Sequence, residues 1–463
     1  MRILILLAVS VSAYAQCGLS SAPTGFSLTS GGSLGGFTFF AGASGWNQDV
    51  LAKSVNASSS TWITTLRGGG SPPLNAQYSP ATWNGWGEPW YGLVYHVVDG
   101  TTQPRVQIKY TAPEAYPDSS DPGPWPVPLD ARVQATFSGA PGTASETITN
   151  NVDGDKHIIV LDKRDCVLYE LWNTYYYNGK IHAGTGAVFD LLAGDHQRPW
   201  GMTSSSVSGL PLLAGTIRYD EIQSGEIKHP IAITYFGAYG RAAFVDLASH
   251  HQYNNTNLST LPPIGTIARL KSSFNISGYS TAAQVILAAM KKYGVIYVDG
   301  GRTGDMFYAT DHRWNTTDMF PLSQILFTED DFEFLETGTI YSDTVGGTWP
   351  TLGATPTISA ASGSTADGIT TLTFHVDDNG SRIAYVTPHV GPVVAGLTVD
   401  AGGSYTYSVS FPAQPATTEY EVMVQNANGR STEMIALGDP PPPPVDLHQF
   451  SGALSLTGGR KTQ

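Results

Sequence analysis

Ionisable side chains set inside apolar, strand-like runs are concentrated between Asp155 and His251. Only 13% of the chain is charged, yet six of its eleven histidines lie in this window: His157, His182, His196, His229, His250 and His251. Glu170, Asp190, Arg198, Asp220, Glu221 and Glu226 fall there too. A charge within apolar sequence is costly unless it is paired or put to use. In the run Cys166-Val-Leu-Tyr-Glu-Leu-Trp172 a strand would place Leu168, Glu170 and Trp172 on one face. Both faces are otherwise apolar, so the strand is expected to be central. A carboxyl held against Trp172 in low dielectric would resist ionisation, as a general acid does. The structural alternative is a Glu170 paired with a buried arginine, Arg218 or Arg269.

Asp190 closes a second apolar run, Gly186-Ala-Val-Phe-Asp190, and a turn held by an Asp190–Arg198 bridge is expected beyond it. The densest segment is Arg218-Tyr-Asp-Glu-Ile-Gln-Ser-Gly-Glu-Ile-Lys-His229. Gln223-Ser224-Gly225 reads as the tight turn of a hairpin, which would bring Asp220 or Glu221 near Glu226. A carboxylate pair is what glycoside hydrolysis requires: an acid for the leaving oxygen, and a base or nucleophile for the anomeric centre. The alternative is a solvated hairpin tip with cross-strand ion pairs. No metal or cofactor is expected, since His-x-x-x-His and Cys-x-x-Cys spacings and a phosphate loop are missing from the sequence. Adjacent His250 and His251 would point apart on an extended strand and could not chelate one ion.

These elements sit in a chain of 463 residues. Arg2, a short apolar run and Ala13-Tyr-Ala15 read as a signal peptide over residues 1–15, so the mature protein is expected to be secreted, extracellular or periplasmic. The run is too short to span a bilayer, and no integral membrane association is expected. Residues 16–35 read as a flexible arm and residues 36–345 as the main β-rich domain. One helix is expected over residues 282–293, with Ser280 or Thr281 as cap and Gly294 as stop. A second helical turn is expected at residues 329–335. Residues 353–437 read as an immunoglobulin-like β-sandwich, and residues 438–463, with Pro440 to Pro444, as a spacer and tail. The fold class is mostly β: a large β-sandwich or jelly-roll-like domain with one main helix, then the immunoglobulin-like sandwich.

A formal charge of −14 argues against nucleic acid as partner. Plentiful aromatics suit a polysaccharide or oligosaccharide instead: Trp86 and Trp90 in one Gly-rich loop, Trp172, and Tyr176 beyond it. All ten tryptophans precede residue 350, so the C-terminal module reads as a support rather than a sugar-binding module. Cys17 and Cys166 are the only cysteines and could pair.

Several runs resemble a set of secreted, mostly bacterial, β-rich proteins of unassigned activity. They include Asp118-Ser-Ser-Asp-Pro-Gly-Pro-Trp-Pro-Val-Pro128, Leu168-Tyr-Glu-Leu171, Gly186-Ala-Val-Phe-Asp-Leu191, Arg218-Tyr-Asp-Glu221 and Gly225-Glu-Ile-Lys-His229. The resemblance spans about residues 45–335 and implies that this stretch is one module. It implies no activity.

The residues thus point to a secreted polysaccharide-active protein, with a glycoside hydrolase foremost. Glu170 is the acid candidate, and Asp190, Asp220 and Glu226 are the base or nucleophile candidates. His229 and Arg198 would orient substrate, beside Trp86, Trp90, Trp172 and Tyr176. A polysaccharide lyase would instead use Arg198, Arg269 and Lys271 against a uronate. A non-catalytic carbohydrate-binding or cell-surface protein needs neither set.

Overall fold

Strand residues with alternating burial build most of this protein, and the alternation decides which side chains meet. The computed structural model describes residues 19, 34, 37–40, 45–68, 74–77, 92–100, 102–112, 114–129, 131, 133–134, 155–177, 180–191, 198–236, 240–252, 258–301, 304–311, 313–344, 347–350, 353–379, 385–387, 397–400, 404–412, 419–426 and 429–438. The expected signal segment (1–15), nearly all of the expected arm (16–35), Trp86, Trp90 and the expected spacer and tail (438–463, apart from residue 438) lie outside them. The chain is mostly β, with several sheets.

Four strands form the sheet that carries Glu170: Tyr95–Val98, Ile158–Asp162, Val167–Trp172 and Thr185–Asp190, in that order. Val167–Trp172 is central, antiparallel to both neighbours, as its two apolar faces require. Ile158, Val160, Val167, Tyr169, Leu171 and Val188 pack on one side with Trp125 and Val127. Ile159, Leu161, Leu168, Ala187 and Phe189 face the other side and join the largest core. Glu170 shares the face of Leu168, so the pleat carries its carboxyl into that core.

The same core takes in a mixed six-stranded sheet: Leu74–Gln77, Gly304–Phe307, Ile231–Phe236, Val295–Gly301, Ile267–Leu270 and Phe332–Phe334. Ile231–Phe236 and Val295–Gly301 run parallel, with a register shift between Tyr297 and Asp299. Such an irregularity re-aims a side chain at a strand end. The expected helix is Thr281–Lys292; Ser280 Oγ accepts from the Ala283 N–H at 3.3 Å, and Gly294 turns the chain at φ 81°. It delivers the chain into the parallel strand Val295–Gly301.

Three local expectations are corrected. Residues 219–224 are not one arm of a hairpin but an α-helix, Tyr219–Ser224, and Gly225 at φ 82° is its left-handed stop. The Glu221 carboxylate accepts the Arg218 N–H at 2.9 Å, so the segment has the acceptor half of a capping box. Residues 329–335 hold the short strand Phe332–Phe334, because pairing with Ile267–Leu270 outweighs the helical preference. His250 and His251 lie in a loop, and their rings stack at 5.6 Å and 11° rather than pointing apart.

A seven-stranded sheet arises from residues 357–438. Val422 and Val424 face its own core with Leu372, Phe374 and Tyr407. Met423, one residue out of phase, is buried with Trp125 and Tyr169 of the main unit. Arg430 donates to the Ser120 carbonyl at 2.6 Å and to the Asp118 carbonyl. Cys166 is disulfide-bonded, and the chain holds one other cysteine, Cys17.

Candidate functional site

The loop that follows Arg198 is held by hydroxyl groups as well as by backbone hydrogen bonds. Thr203 Oγ1 donates to the Ser206 carbonyl at 2.8 Å, and Ser204 Oγ and Ser206 Oγ donate to the Leu210 carbonyl at 2.8 and 2.9 Å. Short side chains of this kind satisfy backbone acceptors that no ladder reaches. Arg198 holds the loop's start. Its Nε donates to the Thr203 carbonyl at 3.0 Å, its Nη2 to the Ser119 carbonyl at 2.6 Å, and its Nη1 meets Asp121 at 2.5 Å. The expected Asp190–Arg198 bridge is therefore corrected to Asp121–Arg198. Asp190 is buried at the end of Thr185–Asp190.

Glu170 holds the loop's middle. Its side chain is 0% exposed, and no arginine pairs with it. Ser205 Oγ donates to its Oε2 at 2.6 Å, and the Leu212 and Leu213 N–H groups donate at 2.9 Å each. Those amides open the short helix Leu212–Gly215, where a helix end leaves donors free. Burial raises the Glu170 carboxyl above its usual range, against the lowering effect of its three donors. Sealed and fully engaged, Glu170 anchors the loop; it does not face a groove.

Two residues beyond Ser205, the loop meets a second acid. The Val207 N–H donates to Asp299 Oδ2 at 3.0 Å, and the Gly300 N–H to Oδ1 at 2.7 Å. Asp299 stands at the carboxyl end of Val295–Gly301, beside its parallel neighbour, the kind of edge at which open sheets bind ligands. Burial pushes its carboxyl up to about 7, helped by the nearby Asp155 charge and opposed by the amide donors. Asp299 remains partly exposed at this strand end. Asp155 is exposed and accepts from Trp172 Nε1 at 3.2 Å. The Trp172 ring packs against Gly184, where a Cβ would stand 2.6 Å from the ring. The other end of Val207 meets a histidine: its carbonyl takes the His250 Nδ1 proton at 2.9 Å. One peptide residue thus bridges Asp299 and His250.

The remaining residues expected from the sequence lie elsewhere. Glu226 is surface-exposed, 3.5 Å from Lys228 and 3.2 Å from Lys292, and those cations hold its carboxyl below the usual range. Asp220 accepts the Leu34 N–H at 2.9 Å and lies 3.9 Å from Arg218. His229 is buried, with Nε2 3.0 Å from Glu221 and Nδ1 2.9 Å from the Pro230 carbonyl. Arg218 completes that knot at 2.5 Å from Glu221 and stacks over Phe39. Burial would raise the Glu221 carboxyl, but Arg218 and His229 outweigh it and hold it low. Tyr176 packs, partly buried, against the core that contains Trp125 and Tyr169. The lyase cations are committed to protein groups: Arg269 to Glu333 at 2.7 Å and the Leu51 carbonyl at 2.8 Å, Lys271 to the Glu329 carbonyl. Trp86 and Trp90 lie outside the described residues.

Sequence reasoning missed Asp299. Its signal is an acid followed by Gly300-Gly301 at the end of the apolar run Val295–Val298, which marks a strand leaving the core. Among the described residues, no group of three or more His, Cys, Asp or Glu side chains is placed to hold a metal ion. No helix there is long and apolar enough to cross a membrane. Comparison with protein-family models, with curated proteins and with solved structures finds no match, so the functional reading rests on the chain's own residues.

Proposed function

We propose that this is a secreted polysaccharide-active protein, a glycoside hydrolase whose paired carboxylates are Asp299 and Asp155. The observation that carries this reading is the placement of Asp299 at the open end of a parallel strand pair, near an exposed Asp155 that is itself bonded to the Trp172 indole. Asp299 is the acid for the leaving oxygen, and Asp155 the second carboxyl group, the base or nucleophile. Trp172 offers an amphipathic ring for a pyranose face. A carboxyl that holds its proton to about 7 matches the task of a general acid near neutrality. Glu170 moves from acid to anchor in this scheme. The large β-rich unit is of the sandwich or jelly-roll type, with an immunoglobulin-like sandwich docked against it through Met423 and Arg430.

The test is reducing-end release from a panel of soluble neutral glycans (mixed-linkage β-glucan, xylan, starch). Asp299→Asn and Asp155→Asn should each lower turnover by about 10²-fold or more with the fold intact. Because the acid acts protonated, wild-type turnover should fall as pH rises through about 7. Unchanged turnover in Asp299→Asn removes the acid assignment. A wild type that releases no reducing ends from any of these glycans removes the hydrolase reading, and one that also fails to bind them removes glycan recognition.

A further inference from the structure

We propose that His250 is a substrate-contacting residue of this site, its Nε2 accepting a hydrogen bond from a sugar hydroxyl, with His251 and Asp343 as positioning residues behind it. The proposal rests on the glycan reading above and deepens it. Three features of the geometry carry it.

First, the ring's tautomer is set. A carbonyl oxygen only accepts, so the 2.9 Å contact with Val207 places the proton on Nδ1 and leaves a lone pair on Nε2 of the neutral ring. Second, that lone pair is open. Among the described residues Nε2 has no hydrogen-bond partner, and it is not among the side-chain nitrogens sealed from solvent. His229 and His251 differ, because each uses both ring nitrogens within the protein. Third, the ring is clamped. His251 stacks on it at 5.6 Å and 11°, and is itself fixed by the Gln252 carbonyl at 2.8 Å and by Asp343 at 2.9 Å. Phe244 backs His251 at 6.4 Å.

The environment keeps the acceptor available. Burial lowers the His250 imidazole to about 4, the Val207 bond raises it, the neighbouring His251 lowers it and Asp343 raises it. The ring is therefore neutral near neutrality. Val207 joins the two groups, its N–H to Asp299 and its carbonyl to His250, so the acid and the imidazole are held by the same loop residue.

Two measurements test this. Diethyl pyrocarbonate acylates the free lone pair of a neutral imidazole. At about pH 7, peptide mapping should find His250 carbethoxylated, His229 and His251 spared, and His250 protected by the glycan that the protein binds. The second is His250→Asn. The amide retains a donor at the Nδ1 position for Val207 but has nothing at Nε2. It should keep the wild-type melting temperature and raise KM about 3- to 10-fold, the value of one lost hydrogen bond, with a smaller change in kcat. A merely structural histidine would leave KM unmoved. Resistance of His250 to the reagent, labelling that no bound glycan suppresses, or an unchanged KM in His250→Asn would each overturn the proposal. None of these outcomes touches the acid assignment, which stands or falls with Asp299→Asn.

Discussion

Replacing Glu170 separates an anchor from an acid. Its carboxylate accepts three buried donors: Ser205 Oγ at 2.6 Å and the Leu212 and Leu213 N–H groups at 2.9 Å. Oε2 serves two of them and Oε1 the third. In Glu170→Gln, the amide oxygen can take the Oε2 position and keep two donors. The NH2 group then faces the Leu213 N–H, leaving one buried donor unsatisfied, at a cost of about 1–3 kcal/mol. Glu170→Ala abandons all three and opens space in the core, so a loss above about 3 kcal/mol is expected. The gap between wild type and Glu170→Gln also depends on pH. Burial raises the folded-state carboxyl above its ordinary 4.5, so the folded protein holds that proton more tightly than the unfolded chain. The contribution of Glu170 to wild-type stability is therefore fullest below 4.5 and declines as pH rises through the folded value. Glutamine has no such proton, and the gap should narrow with rising pH. Urea unfolding followed by tryptophan fluorescence at several pH values measures this, with amide exchange at Leu212 and Leu213 as the local readout. If Glu170→Gln is as stable as wild type at every pH and those amides keep their protection, the anchor assignment is wrong. A Glu170→Gln variant with normal stability and abolished turnover would restore Glu170 as the acid.

Other substitutions probe the supports around the site. Arg430→Ala loses bonds to the Ser120 and Asp118 carbonyls and should cost about 1–3 kcal/mol while exposing the junction at residue 353 to limited proteolysis; an unchanged digest would show that the C-terminal sheet docks without it. Gly100→Ala puts a Cβ 1.8 Å from Asp162 Oδ2, which must move and release the N–H groups of Gly100, Arg164 and Asp165, so the urea midpoint should fall by the equivalent of roughly 2–4 kcal/mol; an unmoved midpoint contradicts the contact. Glu226→Gln removes only exposed ion pairs and should change stability by less than about 0.5 kcal/mol and turnover not at all; a large fall in turnover would return Glu226 to the site.

The backbone was more legible than the site. Apolar runs marked strands within residues 166–172 and 186–190, found as Val167–Trp172 and Thr185–Asp190, and capping residues marked a helix over residues 282–293, found as Thr281–Lys292. These signals are local. The misreading of residues 217–229 shows where local signals divide: a glycine with positive φ closes a hairpin turn or a helix equally well, and Gly225 does the second. What settles the choice is that Glu221 finds Arg218 and His229 in a buried knot, which a solvated hairpin tip would not offer.

Charge pairing is harder to read because its partners are remote in sequence. Arg198 passes over Asp190, eight residues away, for Asp121, seventy-seven away, since the fold brings the Ser119 and Thr203 carbonyls to the same guanidinium. Val207 finds Asp299 across ninety-two residues. An acid in an apolar run announces only that something must meet it; how many donors do so decides its chemistry. Glu170 receives a hydroxyl and two amides and is sealed, so it serves as a brace. Asp299 receives two amides at a strand end, with solvent, a second carboxylate and a histidine within reach of the same loop. The two differ little as sequence. They part in placement because the pleat of Val167–Trp172 turns Glu170 into the core, whereas Asp299 lies near the carboxyl end of Val295–Gly301, beyond the residues that pair with Ile267–Leu270 and just before two glycines.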